Sequence, residues 1–297
     1  MKEERVRKSI ALGLGLAAML VAQGFAKDSL DVEIERGETR SDKVRETKAG
    51  DTRTVDLGGG VTLDLVWIPP GTFTMGSPAS EIGRRNNEGP QHRVTISRGF
   101  WMGKYPVTQQ QWRQLMGTAR QPHFKNAGAN APVETVNWND AKEFCGKLQD
   151  RLTRDLRGLT VRLPTEAEWE YACRAGTTTA LYTGKELTST SGSCRNLDEI
   201  AWYRENSGGS TKPVGQKQPN AWGLHDMLGN VWEWCEDWYG PYPSGPVTDP
   251  AGPTSGSSRI LRGGSWGISA RNGRSAHRYG NEPGFRISHI GFRVVVR

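Results

Sequence analysis

The sequence predicts an α+β domain with few helices, short strands and much irregular backbone. Three observations carry this. Thirty-seven Gly and sixteen Pro among 297 residues punctuate the chain with turns. Two segments in the first half of the domain repeat apolar residues at helical spacing behind capping residues, whereas the chain from Gly184 onward is turns, Trp and short strands. No fixed period runs through the chain, which excludes solenoid and collagen-like classes. Eleven Trp, all between Trp67 and Trp266, exclude a generic disordered chain and place the folded part around that stretch.

Residues 1–26 read as a secretory signal. A basic start (Lys2, Arg5, Arg7, Lys8) precedes thirteen apolar residues from Ile10 to Ala22, and Gly24-Phe25-Ala26 offers small residues for cleavage. The other reading, a membrane anchor, needs a longer run to cross about 30 Å of hydrocarbon. The mature protein is therefore expected outside the cytoplasm, periplasmic or at the cell surface, with no stable membrane span after cleavage. Residues 27–56 hold sixteen charged residues of thirty, of both signs, and read as a solvated linker. The domain is placed at 57–297.

Within it, Val61 to Ile68 is strand-like, and Pro69-Pro70-Gly71 turns it into Thr72 to Gly76. After a polar loop from Ser77 to Pro90, His92 to Met102 is β-rich again. A weak helix runs from Thr108 to Met116. Asn137 caps a stronger one, whose stripe is Ala141, Phe144, Cys145, Leu148 and Leu152. Thr165 and Glu168 form a capping box for a third, which Gly176 ends. The last strand is Ile290 to Val296.

The net charge is +7 and the pI about 9.3. Residues 1–26 account for +2 of it, and no block of Lys and Arg is interleaved with aromatics, so nucleic acid is not an expected partner. Four cysteines, Cys145, Cys173, Cys194 and Cys235, suit an oxidising compartment, but none are spaced C-x-x-C, which argues against zinc. Cys145 and Cys173 also fit buried helix faces as free thiols. The five His are too scattered for a transition-metal site.

Three segments could carry function. Gly263-Gly264-Ser265-Trp266-Gly267 matches the G-x-S-x-G nucleophile elbow, but no helix is predicted after it and no βαβ series before it. Asp226 and Glu233 flank a Gly-containing turn. Their oxygens, with turn carbonyls, could serve Ca²⁺; equally, Asp226 could cap the turn and Glu233 pair with an Arg. Trp266 to His289 is rich in Gly, Ser, Asn, His and Tyr, with Arg271, Arg274, Arg278 and Arg286 spaced through it. That is the composition of an adaptable binding surface, or of an ordinary irregular one held by buried arginines.

An ordered series of motifs resembles the formylglycine-generating enzyme, or sulfatase-modifying factor, family. It runs through Pro70–Ser77, Glu88–Val94, Tyr105–Thr108, Val136-Asn137-Trp138, Arg162–Glu170, Gly229–Trp234, Arg262–Trp266 and Gly291–Val294. The resemblance covers about residues 60–297 and implies a variant C-type lectin fold. It also implies a structural Ca²⁺ held by the side chains of Asp226 and Glu233 and the carbonyls of Gly229 and Val231. Oxidising members of the family hold copper(I) with two Cys. The matching positions here are Ile268 and Gly273, and no Cys follows Cys235. Copper is not expected, and catalysis by that route is in doubt.

The segment Arg262 to Val296 further resembles the variable region of proteins diversified by retroelements, which substitute at adenines, usually in Asn codons. The varying positions correspond to Gly267, Ile268, Ser269, His277, Tyr279, Gly280, Asn281, Gly284, Phe285, Ile287, Ser288 and His289. Every one is reachable from an Asn codon by changing adenines only, and none is Lys, Glu, Gln, Met or Trp. These residues with Trp266 are the expected surface for an unknown protein or surface ligand. Arg274, Arg278 and Arg286 are expected beneath it, as forked donors to backbone carbonyls. The function read from the sequence is thus an exported, non-catalytic binding protein; the alternative is a periplasmic oxidase of the same family, of the formylglycine-generating or siderophore-maturation type.

Overall fold

The computed structural model describes residues 47–153 and 156–297. The expected signal and most of the expected linker lie outside them. Three sheets organise the chain from Glu46 onward. The largest has the order β1 (Thr52–Gly58), β2 (Val61–Ile68), β5 (Phe100–Gly103), β12 (Val295–Val296) and β6 (Val161–Arg162). A second joins β10 (Arg278–Asn281), β9 (Arg259–Arg262), β7 (Trp232–Trp238) and β11 (Ile290–Gly291). A third joins β3 (Gly71–Met75), β4 (His92–Ile96) and β8 (Val247–Thr248). The helices are α1 (Gln109–Met116), α2 (Trp138–Gln149), α3 (Glu166–Arg174) and the single turn α4 (Arg195–Asp198).

The five-stranded sheet lies between two apolar cores, and strand alternation decides which residue enters which. On β2, Leu63 and Leu65 enter one core, while Val66 and Ile68 enter the other. The same split separates Trp101 from Phe100 and Met102, and Val296 from Val295. One core takes the stripes of α1 and α2, including Trp112, Ala141, Phe144 and Leu148. The other takes α3 through Ala167, Trp169 and Ala172. No helix among the described residues is long and apolar enough to cross a membrane.

The helices start where capping residues place them. Thr108, Asn137 and Thr165 each accept a bond from the amide three residues on, and Gln111, Asp140 and Glu168 return it. Two expectations are corrected. The linker reading of 27–56 overruns the domain: β1 begins at Thr52, and Val55 and Leu57 are buried against β2. Its outward residues Thr52, Arg53, Thr54 and Asp56 belong to an edge strand with a solvated face, which raises charge density as a linker does. The third helix ends at Arg174, and both Ala175 (φ 44°) and the expected Gly176 (φ 95°) turn the chain out of it at positive φ. The expected last strand is two short strands in different sheets. β11 pairs in parallel with β7, then the chain crosses so that β12 lies between β5 and β6. Gly291 sits at the crossing against the Val133 carbonyl, where a side chain would collide.

Candidate ligand-binding site

β9 and β10 pair antiparallel from Arg262↔Arg278 to Arg259↔Asn281, and the fifteen residues between them form an irregular loop. Gly263 and Gly264, both at positive φ (92° and 80°), turn the chain out of β9. Buried arginines then fix the loop. Arg262 donates to the carbonyls of Ser275 (3.0 Å), Ala276 (2.9 Å) and His277 (2.7 Å), and its other side ion-pairs with Glu170. Arg274 is fully buried between Glu81 (2.5 Å) and both oxygens of Glu88 (2.7 and 2.6 Å), and also reaches the Gly83 carbonyl. Arg278 makes a forked pair with Glu166 (2.8 and 2.6 Å) and lies over the Tyr242 and Tyr239 rings.

The expectation for the arginines is corrected in detail. Arg262, not singled out for this role, holds the carbonyls of Ser275, Ala276 and His277, while Arg274 and Arg278 divide their bonds between carboxylates and carbonyls: Arg271 and Gly83 for Arg274, Asn87 and Gly240 for Arg278. Arg286 is partly exposed and pairs with Asp140, in the first turn of α2.

Above this floor lies an open cavity of about 320 Å³. Ile268, His277, Tyr279, Asn281, Phe285, Ile287 and His289 line it, seven of the twelve positions matched to the varying ones. Arg85, Trp232, Leu261, Asn272 and Ile290 complete the wall. Trp232 and Ile290 face each other across the β7–β11 pair. Arg85 comes from the polar loop before β4, a contribution that nothing in the sequence pattern signalled. Tyr279, Phe285 and Ile287 are among the exposed large apolar side chains, at 49%, 40% and 40%.

The remaining expected residues sit around it. Trp266 stacks on His289 (4.3 Å, 18°) and donates to the Ser288 carbonyl. Gly267 packs on His289, where a side chain would collide, and its carbonyl accepts from Arg204. Ser269 starts the 3-10 turn Ala270–Asn272. Gly280 lies against Tyr239 in an adjoining recess shared with Arg85 and Tyr279. Gly284 accepts from Asn137 through its carbonyl.

The two imidazoles of the cavity are held differently. His277 is buried (2% exposed), with Nδ1 3.1 Å from Glu88. Burial pushes its pKa down to about 4, against the pull of the Glu88 hydrogen bond. Burial alone would raise Glu88, but hydrogen bonds from His277 and Arg274 and the Arg274 charge outweigh it and hold the carboxyl far below its usual range. Burial also lowers the pKa of His289, so both rings are neutral near pH 7.

Ser265 is fully buried with its hydroxyl 3.0 Å from His289 Nδ1, and a turn, not a helix, follows it, so the nucleophile-elbow geometry is absent. At the positions of the family's copper-binding cysteines, Ile268 contributes an apolar wall and Gly273 packs against Leu197. The four cysteines are buried elsewhere as free thiols, and burial pushes Cys145 and Cys173 up to about 12.

The residues expected to hold calcium do not fit the ion as arranged. Arg293 forks onto both Glu233 oxygens (2.7 and 2.8 Å), and Trp169 Nε1 takes a further bond to one of them (2.7 Å). The Asp226 oxygens accept from the Gly215 amide (2.7 Å) and from Asn230 (3.2 Å). Arg293 also donates to the His225 and Asp226 carbonyls, so its guanidinium bridges one end of this turn to Glu233. Gly229 meets the Trp202 carbonyl too closely to carry a side chain, and its positive φ (80°) suits glycine.

This arrangement of three sheets and few helices is one that other proteins share. Residues 60–297 match the sulfatase-modifying factor enzyme 1-like domain, and the chain belongs to that family. Formylglycine-generating enzyme of Mus musculus is 30% identical over 290 residues, covering 77% of this chain and 74% of that protein. The Streptomyces coelicolor enzyme is 39% identical over 174 residues, covering 55% and 52%. Among solved structures, Treponema denticola variable protein 1 superposes with a TM-score of 0.71 at 32% identity, covering 83% of this chain and 99% of that one. PvdO from Pseudomonas aeruginosa superposes at 0.70 and 29% identity, covering 85% and 100%. The α+β, C-type-lectin-like fold class expected from the sequence is the one observed.

Proposed function

We propose that this is an exported, non-catalytic binding protein whose C-terminal surface takes a protein or cell-surface ligand, and that a retroelement diversifies that surface. One observation carries the reading. Most positions matched to the varying ones converge on one cavity, while the intervening Arg262, Arg274 and Arg278 are buried in ion pairs beneath it. Such a division lets the exposed recognition residues change without disturbing the floor, while His277 alone of the matched cavity residues reaches into it, through Glu88. The likeness to a variable protein supports the same reading. Catalysis lacks support because Ile268 and Gly273 offer no thiolate to a soft metal.

The test is deep sequencing of the DNA encoding Arg259 to Arg297 across a population of source cells. The expected result is variation confined to the twelve matched codons with the Arg, Gly and Trp framework fixed. A single invariant sequence would overturn diversification. Oxygen uptake on a cysteine-containing sulfatase peptide with added copper is expected to stay flat; a rising trace would restore the oxidase.

A further inference from the structure

A second and larger cavity, of about 560 Å³, shares no lining residue with the first. It lies where β3 and β4 meet the C-terminal end of α3 and the loop carrying Trp222. Three rings wall it: Phe73 and Tyr171 are 5.3 Å apart and tilted 44°, and Tyr171 meets Trp222 at 5.0 Å and 66°. The polar wall is Thr72, Thr74, Thr177 and Thr178 with Arg93 and Arg174, and no acidic side chain lines it.

These groups differ in what they have left to give. Arg174 is buried and committed, to Glu170 and to the carbonyls of Thr179 and Gly76. Thr177 bonds the Arg174 carbonyl and Thr72 bonds Thr95. The exposed Arg93 guanidinium, across the ladder from Thr74, has no hydrogen-bond or ion-pair partner among the described residues, and neither do the hydroxyls of Thr74 and Thr178. The cavity thus offers one free forked cation, two free hydroxyls and a faceted aromatic wall.

That set selects a ligand class. With the Arg174 charge already met by Glu170, the unpaired guanidinium of Arg93 sets the charge of the cavity: it repels cations and favours an anion, and its planar fork suits a carboxylate. The rings meet at steep angles, so they form no parallel slot for a flat aromatic body. Their electron-rich faces suit the slightly positive C–H groups of a pyranose chair. The hydroxyls can both donate to and accept from sugar hydroxyls. We infer that this cavity is a binding site for an acidic saccharide, a uronate whose carboxylate pairs with Arg93 and whose ring packs on the partly exposed Phe73 and Trp222, with the buried Tyr171 behind them.

Methyl glucuronide, methyl glucoside and 4-hydroxybenzoate, titrated into the full chain and followed by saturation-transfer NMR and tryptophan fluorescence, test this. The glucuronide is expected to bind with a dissociation constant on the order of 1 mM, and the glucoside at least about tenfold more weakly. Arg93→Glu should reduce glucuronide binding by about tenfold or more without lowering the melting temperature, because Arg93 is exposed and unpaired. Thr74→Val, which suits a strand, should weaken it by about threefold. Equal binding of glucuronide and glucoside would overturn the role of the charge. Tighter binding of 4-hydroxybenzoate would overturn the saccharide class. No binding, or binding that survives Arg93→Glu, would overturn the site.

Discussion

At the scale of single residues, the floor beneath the candidate surface is electrostatic. Arg274 touches two buried carboxylates, and one of these, Glu88, also holds His277. Arg274→Met would leave Glu81 and Glu88 buried without their cation, and is expected to cost about 3–5 kcal/mol. Arg286→Met should cost under about 1 kcal/mol, since that pair is partly exposed. Chemical denaturation of the two variants checks the ranking. Asp237 gives a pH signature of its own. Burial and then the charge of Glu166 push its pKa up to about 8 from an ordinary 3.8. The folded state therefore keeps a proton that the unfolded state has lost. Its contribution to stability is full below the ordinary value and is lost as pH rises through about 8. Asp237→Asn keeps the oxygen that accepts the Glu166 amide (2.8 Å) and cannot ionise. It should raise the melting temperature by about 3 °C near pH 9, or ~1 kcal/mol in a domain of this size, with the gain shrinking toward pH 5. Melting curves across that range decide it.

At the scale of elements, local signals and long-range contacts meet in α3. Thr165 and Glu168 close the capping box that the sequence announces. What the sequence does not announce is that every acid of this helix has an arginine partner from elsewhere: Glu166 with Arg278, Glu168 with Arg162 and Arg297, Glu170 with Arg262. The helix is therefore the anchor of the loop cluster as well as part of a core. Thr165→Ala removes one bond of the box and is expected to cost about 1 kcal/mol. Because α3 carries the partners of Arg262 and Arg278, amide exchange should also quicken along β10. Unchanged exchange there would show that the loop does not depend on the helix. Caps and apolar stripes were legible because they act within a few residues. Arg85, Glu81 and Glu88 were not legible as part of the site, because only the fold brings them to residues nearly two hundred positions later in the chain. The split of the last strand was equally hidden, since an apolar run does not say which sheet each end joins.

At the scale of the whole molecule, two cores share one sheet, and that sheet begins earlier than composition suggests. Charge density in residues 27–56 argued for a linker, yet Thr52 to Gly58 pairs along β2 and places Val55 and Leu57 in the core that also holds Trp112, Phe144 and Phe292. An edge strand hides from composition because half its residues face water. Its alternation, Val55 and Leu57 inward and Thr54 and Asp56 outward, is the better signal, and it lies within a stretch rich in charge. The consequence is measurable. Relative to a chain begun at Glu46, one begun at Gly59 loses two fully buried side chains, at about 1.5–3 kcal/mol each, and leaves β2 paired on its β5 edge alone. Its melting temperature should fall by about 10 °C or more. Since β2 faces both cores, the loss should reach α1 and α2 through Leu63 and Leu65, and α3 through Val66 and Ile68. Exchange protection should then drop in all three helices together. Loss confined to α1 and α2 would mean that the two cores unfold independently despite the sheet they share.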